Sequence, residues 1–213
     1  MRFSLQEGYF IIPTPAGAYH GVSEAKLTAP RRLLRHLMRR DVSPQLELDS
    51  LQGWTGTRNP DEALDLLFRI QSLGWIEGFR EQQQAPTGTL ESVLPDRLDA
   101  LSSNGRALLA DAQGFYVASR GFPHETAEEL SAVSADLASL YERHSGLLGS
   151  NMGLETSAWA LVDAAGNSRV GFWPLYIGSH RFVLVLGGVP RLNQPALTEL
   201  IWALSKRYAT DAG

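Results

Sequence analysis

The sequence predicts a mixed α/β (α+β) chain in two halves of different character, and three observations carry that expectation. Residues 106–208 run in the order hairpin, long helix, second hairpin, buried strand and closing helix. Residues 28–79 give three helices and one strand. Between them lies Gln82-Gln-Gln-Ala-Pro86-Thr-Gly88-Thr, polar, aperiodic and containing Pro and Gly, which marks a domain boundary or flexible joint. The expected division is one domain over 1–82, a linker at 83–92 and a second domain over 93–213.

Tyr9-Phe-Ile-Ile12 is β-prone, and with Ala18-Tyr-His-Gly-Val22 across an intervening Pro- and Gly-containing turn it predicts a loose hairpin. Thr28 can cap a helix beginning Ala29-Pro30. Leu33, Leu34, Leu37 and Met38 form its apolar side, and Arg31, Arg35 and Arg39, four apart, give it a basic face. Leu46 to Leu51 predicts a short amphipathic helix ended by Gly53. The third helix has a defined start, with Asn59 as N-cap, Pro60 at the first helical position and Glu62 three residues after the cap. Its expected core stripe is Ala63, Leu64, Leu67, Phe68 and Ile70 or Leu73, with Gly74 as the stop. Trp75-Ile-Glu-Gly-Phe79 then predicts a strand entering a wing.

In the second half Leu94, Leu98 and Leu101 define one helical stripe, closed by Ser102-Ser-Asn-Gly105. Ala107 to Asp111 and Phe115 to Ser119 flank a turn ending in Gly114, a hairpin pattern. From His124 to His144, Ala127, Leu130, Val133, Leu137 and Leu140 or Tyr141 recur at helical spacing and are the expected core face. Glu125, Glu128, Glu129 and Asp136 lie largely elsewhere. Ser145 to Gly153 is rich in Gly and Ser and is expected to be a mobile connection. The pattern at Trp159 to Gly166 is related to the first hairpin, with Asp163 and Gly166 as turn residues. Pro174 interrupts Val170 to Ile177, which suggests a bulge or an exposed side of that strand. Phe182-Val-Leu-Val-Leu186 lacks alternation, as expected of a central strand covered on both faces. The last helix, Gln194 to Tyr208, has Pro195 in its first turn, buries Leu197, Leu200, Ile201 and Leu204, and carries Lys206 and Arg207 where positive charge suits the helix dipole.

The run Leu-Leu-Ala-Asp111-Ala-Gln-Gly114-Phe, the small-residue-rich helix after Gly121, the Asp163 to Gly166 turn, Phe182 to Leu186 and the terminal helix together resemble the roadblock, or dynein-light-chain-type, domain. The resemblance covers about half of the chain and implies an α-β-β-α-β-β-β-α sandwich. It also implies a homodimer that binds or regulates Ras-like small GTPases or scaffolds larger assemblies. The three helices and strand of residues 1–82 resemble a winged-helix domain.

Composition narrows the function classes. The chain has 213 residues, 44% apolar and 20% charged, and can bury a core. With no cysteine there is no disulfide framework, thiolate nucleophile or cysteine metal site, which favours an intracellular compartment. The N-terminus lacks a signal-peptide core and no run suffices for a membrane span, so a cytoplasmic location is expected. Residues 1–90 carry 10 Lys or Arg against 10 Asp or Glu, and residues 91–213 carry 9 against 13. The acidic excess of the net charge of −4 therefore belongs to the second half, which disfavours nucleic-acid binding there.

No catalytic motif emerges. There is no phosphate-binding G-x-x-x-x-G-K-[ST], and neither lysine, Lys26 or Lys206, follows a Gly-rich loop. No nucleophile elbow or H-E-x-x-H occurs, and the five histidines lie far apart in sequence. The expectation is a non-enzymatic regulator or scaffold, without catalytic, cofactor or metal site. Opposite the expected core stripe of the long helix, Ala132, Ala135 and Ser139 are small enough for close approach by a second copy, and are the candidate dimer contact. Glu128, Glu129 and Asp136 beside them are the candidate surface for a Ras-like GTPase. The competing expectation is a DNA-binding regulator that reads a groove with its winged helix. The basic stripe favours it, whereas Asp61, Glu62 and Asp65 at the start of the would-be recognition helix oppose it.

Overall fold

The computed structural model describes residues 4–154 and 156–209. The chain ends at 1–3 and 210–213, on which part of the leader expectation rests, lie outside the described residues. In chain order the first half holds β1 (Phe10–Pro13), α1 (Pro15–Val22), α2 (Ala29–Leu37), α3 (Leu48–Thr55), α4 (Pro60–Ser72) and β2 (Ile76–Phe79). The second holds α5 (Leu90–Leu101), β3 (Ala107–Asp111), β4 (Tyr116–Arg120), α6 (His124–Ser145), a π-helical turn (Gly146–Asn151), β5 (Trp159–Val162), β6 (Ser168–Ile177), β7 (His180–Gly187) and α7 (Pro195–Tyr208). From α5 onward the order is α-β-β-α-β-β-β-α, as the sequence predicts.

β3 to β7 form one antiparallel sheet in the order β4-β3-β7-β6-β5, so β7 pairs on both sides and its apolar run is buried. α6 lies over β4, β3 and β7 on one face. α5 and α7 pack on the other, and α1 joins them there, against α7 and β6. The core on that face draws Ala18, Val22, Met38 and Ala85 into contact with Leu98, Leu175, Leu200 and Trp202, so the first half of the chain completes the sandwich built by the second. A separate cluster of Leu33, Leu37, Leu51, Trp54, Leu64, Leu67 and Ile70 holds α2, α3 and α4 together.

Several expectations change in the structure. The second arm of the expected N-terminal hairpin is helix α1. Thr14 accepts from the Gly17 amide and Pro15 opens the first turn, a capping pattern that outweighs the β-prone residues. Gly17 is required there because a Cβ would stand 1.8 Å from the Trp75 carbonyl oxygen. α3 runs through Gly53 and ends at Gly56, which takes φ 75°. β2 pairs antiparallel with β1, from Phe10↔Phe79 to Pro13↔Ile76, and not with a following wing strand. β1 is also bonded on its other side, Ile11 N to Pro44 O and Leu46 N to Tyr9 O, so the N-terminal strand fills the place where a wing would return. The joint after β2 is pinned: Ser43 N donates to Gln83 O, Ala85 N donates to Asp41 O, and the Ala85 side chain is buried. Helix α5 already begins at Leu90, inside the stretch expected to link the halves.

The start of α4 is as expected, with the Asn59 side chain accepting from Asp61 N. Of its expected stripe Ala63, Leu64, Leu67 and Ile70 are buried, whereas Phe68 and Leu73 are exposed. Pro174 needs no bulge, because β6 and β7 stay in register through Pro174↔Val183. β5 reaches only to Phe172 on the other side of β6, so the missing N–H lies past the end of that ladder.

Candidate functional site

Helix α6 has the expected extent but turns a different face to the sheet. Its buried residues are Ala127, Ser131, Ser134 and Ala138. Small side chains let the helix backbone come close to β3 and β7. The two serines tolerate burial because each hydroxyl bonds back into the helix, Ser131 Oγ to Ala127 O at 2.7 Å and Ser134 Oγ to Ser131 O at 2.8 Å. Leu130 and Leu137 flank this seam and pack, half-buried, against a cluster that includes Phe172, Val183, Val185 and the partly buried Trp159 and Val170. Val133 is 46% exposed. The expected apolar stripe thus forms one shoulder of the helix.

The candidate dimer residues occupy the opposite shoulder. A Cβ on Gly114, which has φ 87°, would stand 3.2 Å from Ala132 Cα and 3.6 Å from Ala135 Cβ, so these alanines accommodate the β3–β4 turn. That turn is fixed by Asp111 Oδ1, which accepts from Gln113 N and Phe115 N at 2.9 Å each. Ser139 Oγ donates to Ala135 O and lies 3.5 Å from Arg181 Nη2. Arg181 in turn meets Glu142 at 2.8 Å, and Tyr176, its hydroxyl pKa pushed up to about 12 chiefly by burial and then by Glu142, bonds the same carboxylate. Glu128, Glu129 and Asp136 are all exposed. Glu129 and Asp136 share the outward face of α6, and Glu128 lies 3.5 Å from His124 Nε2.

Sequence reasoning missed the feature most in need of a partner, the edge strand β5. Leu161 and Val162 are 64% and 59% exposed, no charge or proline blunts the strand, and among the described residues nothing pairs with the outer side of its ladder. Leu161 pairs with Val170 on the face that also carries Trp159 and the α6 shoulder. The available signal was the run Trp159-Ala-Leu-Val162, apolar at consecutive positions, next to a polar turn.

The arginine stripe of α2 is used internally. Arg31, 7% exposed, donates from Nε to His20 O and meets Glu24 Oε1 at 3.0 Å. Arg35 donates from Nε to Gly21 O and from Nη2 to Glu24 O. Two of the three stripe arginines therefore cap the end of α1. Four of the five histidines sit against separate aromatic neighbours: His20 stacks on Trp75, His36 on Trp54, His124 meets Tyr116, and His180 neighbours Phe182 and Tyr208. Among the described residues no group of three or more His, Asp or Glu side chains could hold a metal ion, and no helix is long and apolar enough to cross a membrane.

No family model matches the sequence, and no curated protein does. Solved structures similar to the chain include these two. One is a Roadblock/LC7 domain from Streptomyces avermitilis, 15% identical, covering 54% of this chain and 92% of that one with a TM-score of 0.38. The other is the gliding protein mglB from Thermus thermophilus, 19% identical, covering 58% of this chain and 96% of that one, also with a TM-score of 0.38.

Proposed function

We propose that the protein is a non-enzymatic regulator or scaffold that self-associates through its roadblock-like half and binds a Ras-like small GTPase. Self-association rests on one observation, the exposed apolar edge of β5 beside the Leu130, Val133 and Leu137 shoulder of α6. Two such edges pairing about a two-fold axis would complete both ladders and bring each shoulder toward the partner sheet. Ala132, Ala135 and Ser139 enter as the far shoulder, where Ala132 and Ser139 are exposed and Ala135 is half-buried. Sedimentation of the full chain should give a dimer at micromolar concentration, and Leu161→Lys should shift it toward monomer. A wild-type chain that sediments as a monomer there would overturn self-association.

The GTPase part rests on the sequence resemblance and on the acidic outward face of α6, which suits a partner with a basic surface. Regulation requires different affinities for the two nucleotide states, since a partner that binds both equally shifts nothing. Titration against candidate GTPases loaded with GTP or GDP should show nucleotide-sensitive binding, weakened by Glu129→Arg and Asp136→Arg. Equal binding to both forms, or none, would leave a GTPase-independent scaffold. The DNA-binding alternative loses support because Arg31 and Arg35 are engaged within the fold.

A further inference from the structure

β5 is held in an unusual way. Between Ala138 in α6 and Gly171 in β6, Ser157 is the one buried residue among those described, 3% exposed. The other described residues of this stretch, all of β5 among them, are exposed or half-buried. Ser157 makes its contact with the other half of the chain. Its Oγ donates to the carbonyl of Ser23, the residue that ends α1, at 3.2 Å. Trp159, the first residue of β5, follows two positions later. α1 itself is seated by Ala18 and Val22 in the shared core and capped by Arg31 and Arg35.

We infer that the N-terminal half sets the seating of edge strand β5 through the Ser157–Ser23 contact, so that the position of α1 is read out at the self-association edge of the second half. The logic is that of a two-state element biased from both ends. Among the described residues β5 has its ladder to β6 on one side and no strand on the other, and its one packed apolar side chain is the half-buried Trp159, so its opening free energy is small and one part-buried hydrogen bond beside it is a sizeable part of it. Displacing α1 removes that bond. By linkage, pairing at the β5 edge must favour the docked position of α1 to the same degree. The first half is then a control element for the edge. The coupling of this contact to dimerisation rests on the self-association reading, whereas its effect on β5 does not.

Hydrogen exchange on the full chain separates the two. Ser157→Ala should speed exchange of the β5 amides about fivefold, the loss expected for one part-buried hydrogen bond, while the other edge strand β4 and the central β7 stay unchanged. Val22→Ala, remote from β5 in sequence, should loosen α1 and raise exchange in β5 more than in β4. Both variants should weaken the dimer by a similar factor in sedimentation. If β5 exchange is unaltered in both, or β4 and β5 respond equally, the inference is overturned. Faster β5 exchange with an unchanged dimer would overturn the link to the edge. A wild-type monomer would remove the self-association reading and leave the exchange result to decide the coupling.

Discussion

Arg35 and Arg31 supply three donors to carbonyls at the end of α1 and just beyond it, those of His20, Gly21 and Glu24, where the last turn of a helix leaves such groups without partners. Arg35→Ala should therefore cost about 2–3 kcal/mol in urea unfolding, the range for charged hydrogen bonds lost from a partly buried site, and leave retention on duplex DNA unchanged. A drop in DNA retention without loss of stability would restore the basic-face reading. Spacing alone placed these arginines on one side of α2. Which side faced α1 was not legible, because the sequence suggested a strand where α1 stands. The histidines on either side make a second prediction. Burial holds both His20 and His36 below the ordinary imidazole range, helped by Arg31 for the former and by Arg40 and Arg39 for the latter. The unfolded chain, with imidazoles near about 6.5, then takes up protons first as pH falls. The stability owed to the neutral rings is full above that value and is lost as pH drops through it toward the folded values. The urea midpoint should be lower at pH 5.5 than at pH 7.5, and His36→Gln should narrow the difference.

At the scale of elements, legibility followed the kind of signal. α4 was readable to the residue because Asn59, Pro60 and Glu62 are a local code that needs no tertiary partner. α6 was readable in extent but not in orientation: a hydrophobic stripe is a guide to the buried face only when burial is apolar, and this helix buries two serines that bond their own backbone. Close packing through small residues makes a definite prediction. Ala138→Leu should destabilise the fold by about 1–3 kcal/mol through overpacking against the sheet, whereas Glu129→Leu on the exposed outward face should be near neutral. If both substitutions behave alike in thermal unfolding, the face is misassigned. The β5 edge stayed illegible for a related reason. A four-residue apolar run does not say whether it lies inside a sheet or at its rim, and that depends on a strand order set by distant pairings.

The whole chain poses the question of how many folding units it contains. Composition and the polar stretch at 83–92 divide it in two, a reading we retain as a proposal about origin and function. Energetically the halves are not separate solutions. Ala18, Val22, Met38 and Ala85 share one core with α5, α7 and the sheet, and Trp202 on α7 donates from Nε1 to the Arg40 carbonyl at 2.8 Å. Each contact buries surface that either half alone would expose, so unfolding one half removes apolar cover from the other and the two should melt cooperatively. The tryptophans allow the test, since Trp54 and Trp75 report on the first half and Trp159, Trp173 and Trp202 on the second. Variants keeping only one set should give coincident urea midpoints. Met38→Ala, a cavity in the shared core, should move both midpoints together by an amount corresponding to about 2–4 kcal/mol. Two transitions, with the Met38 variant shifting just one, would mean that the halves fold independently and that the polar stretch is a true joint.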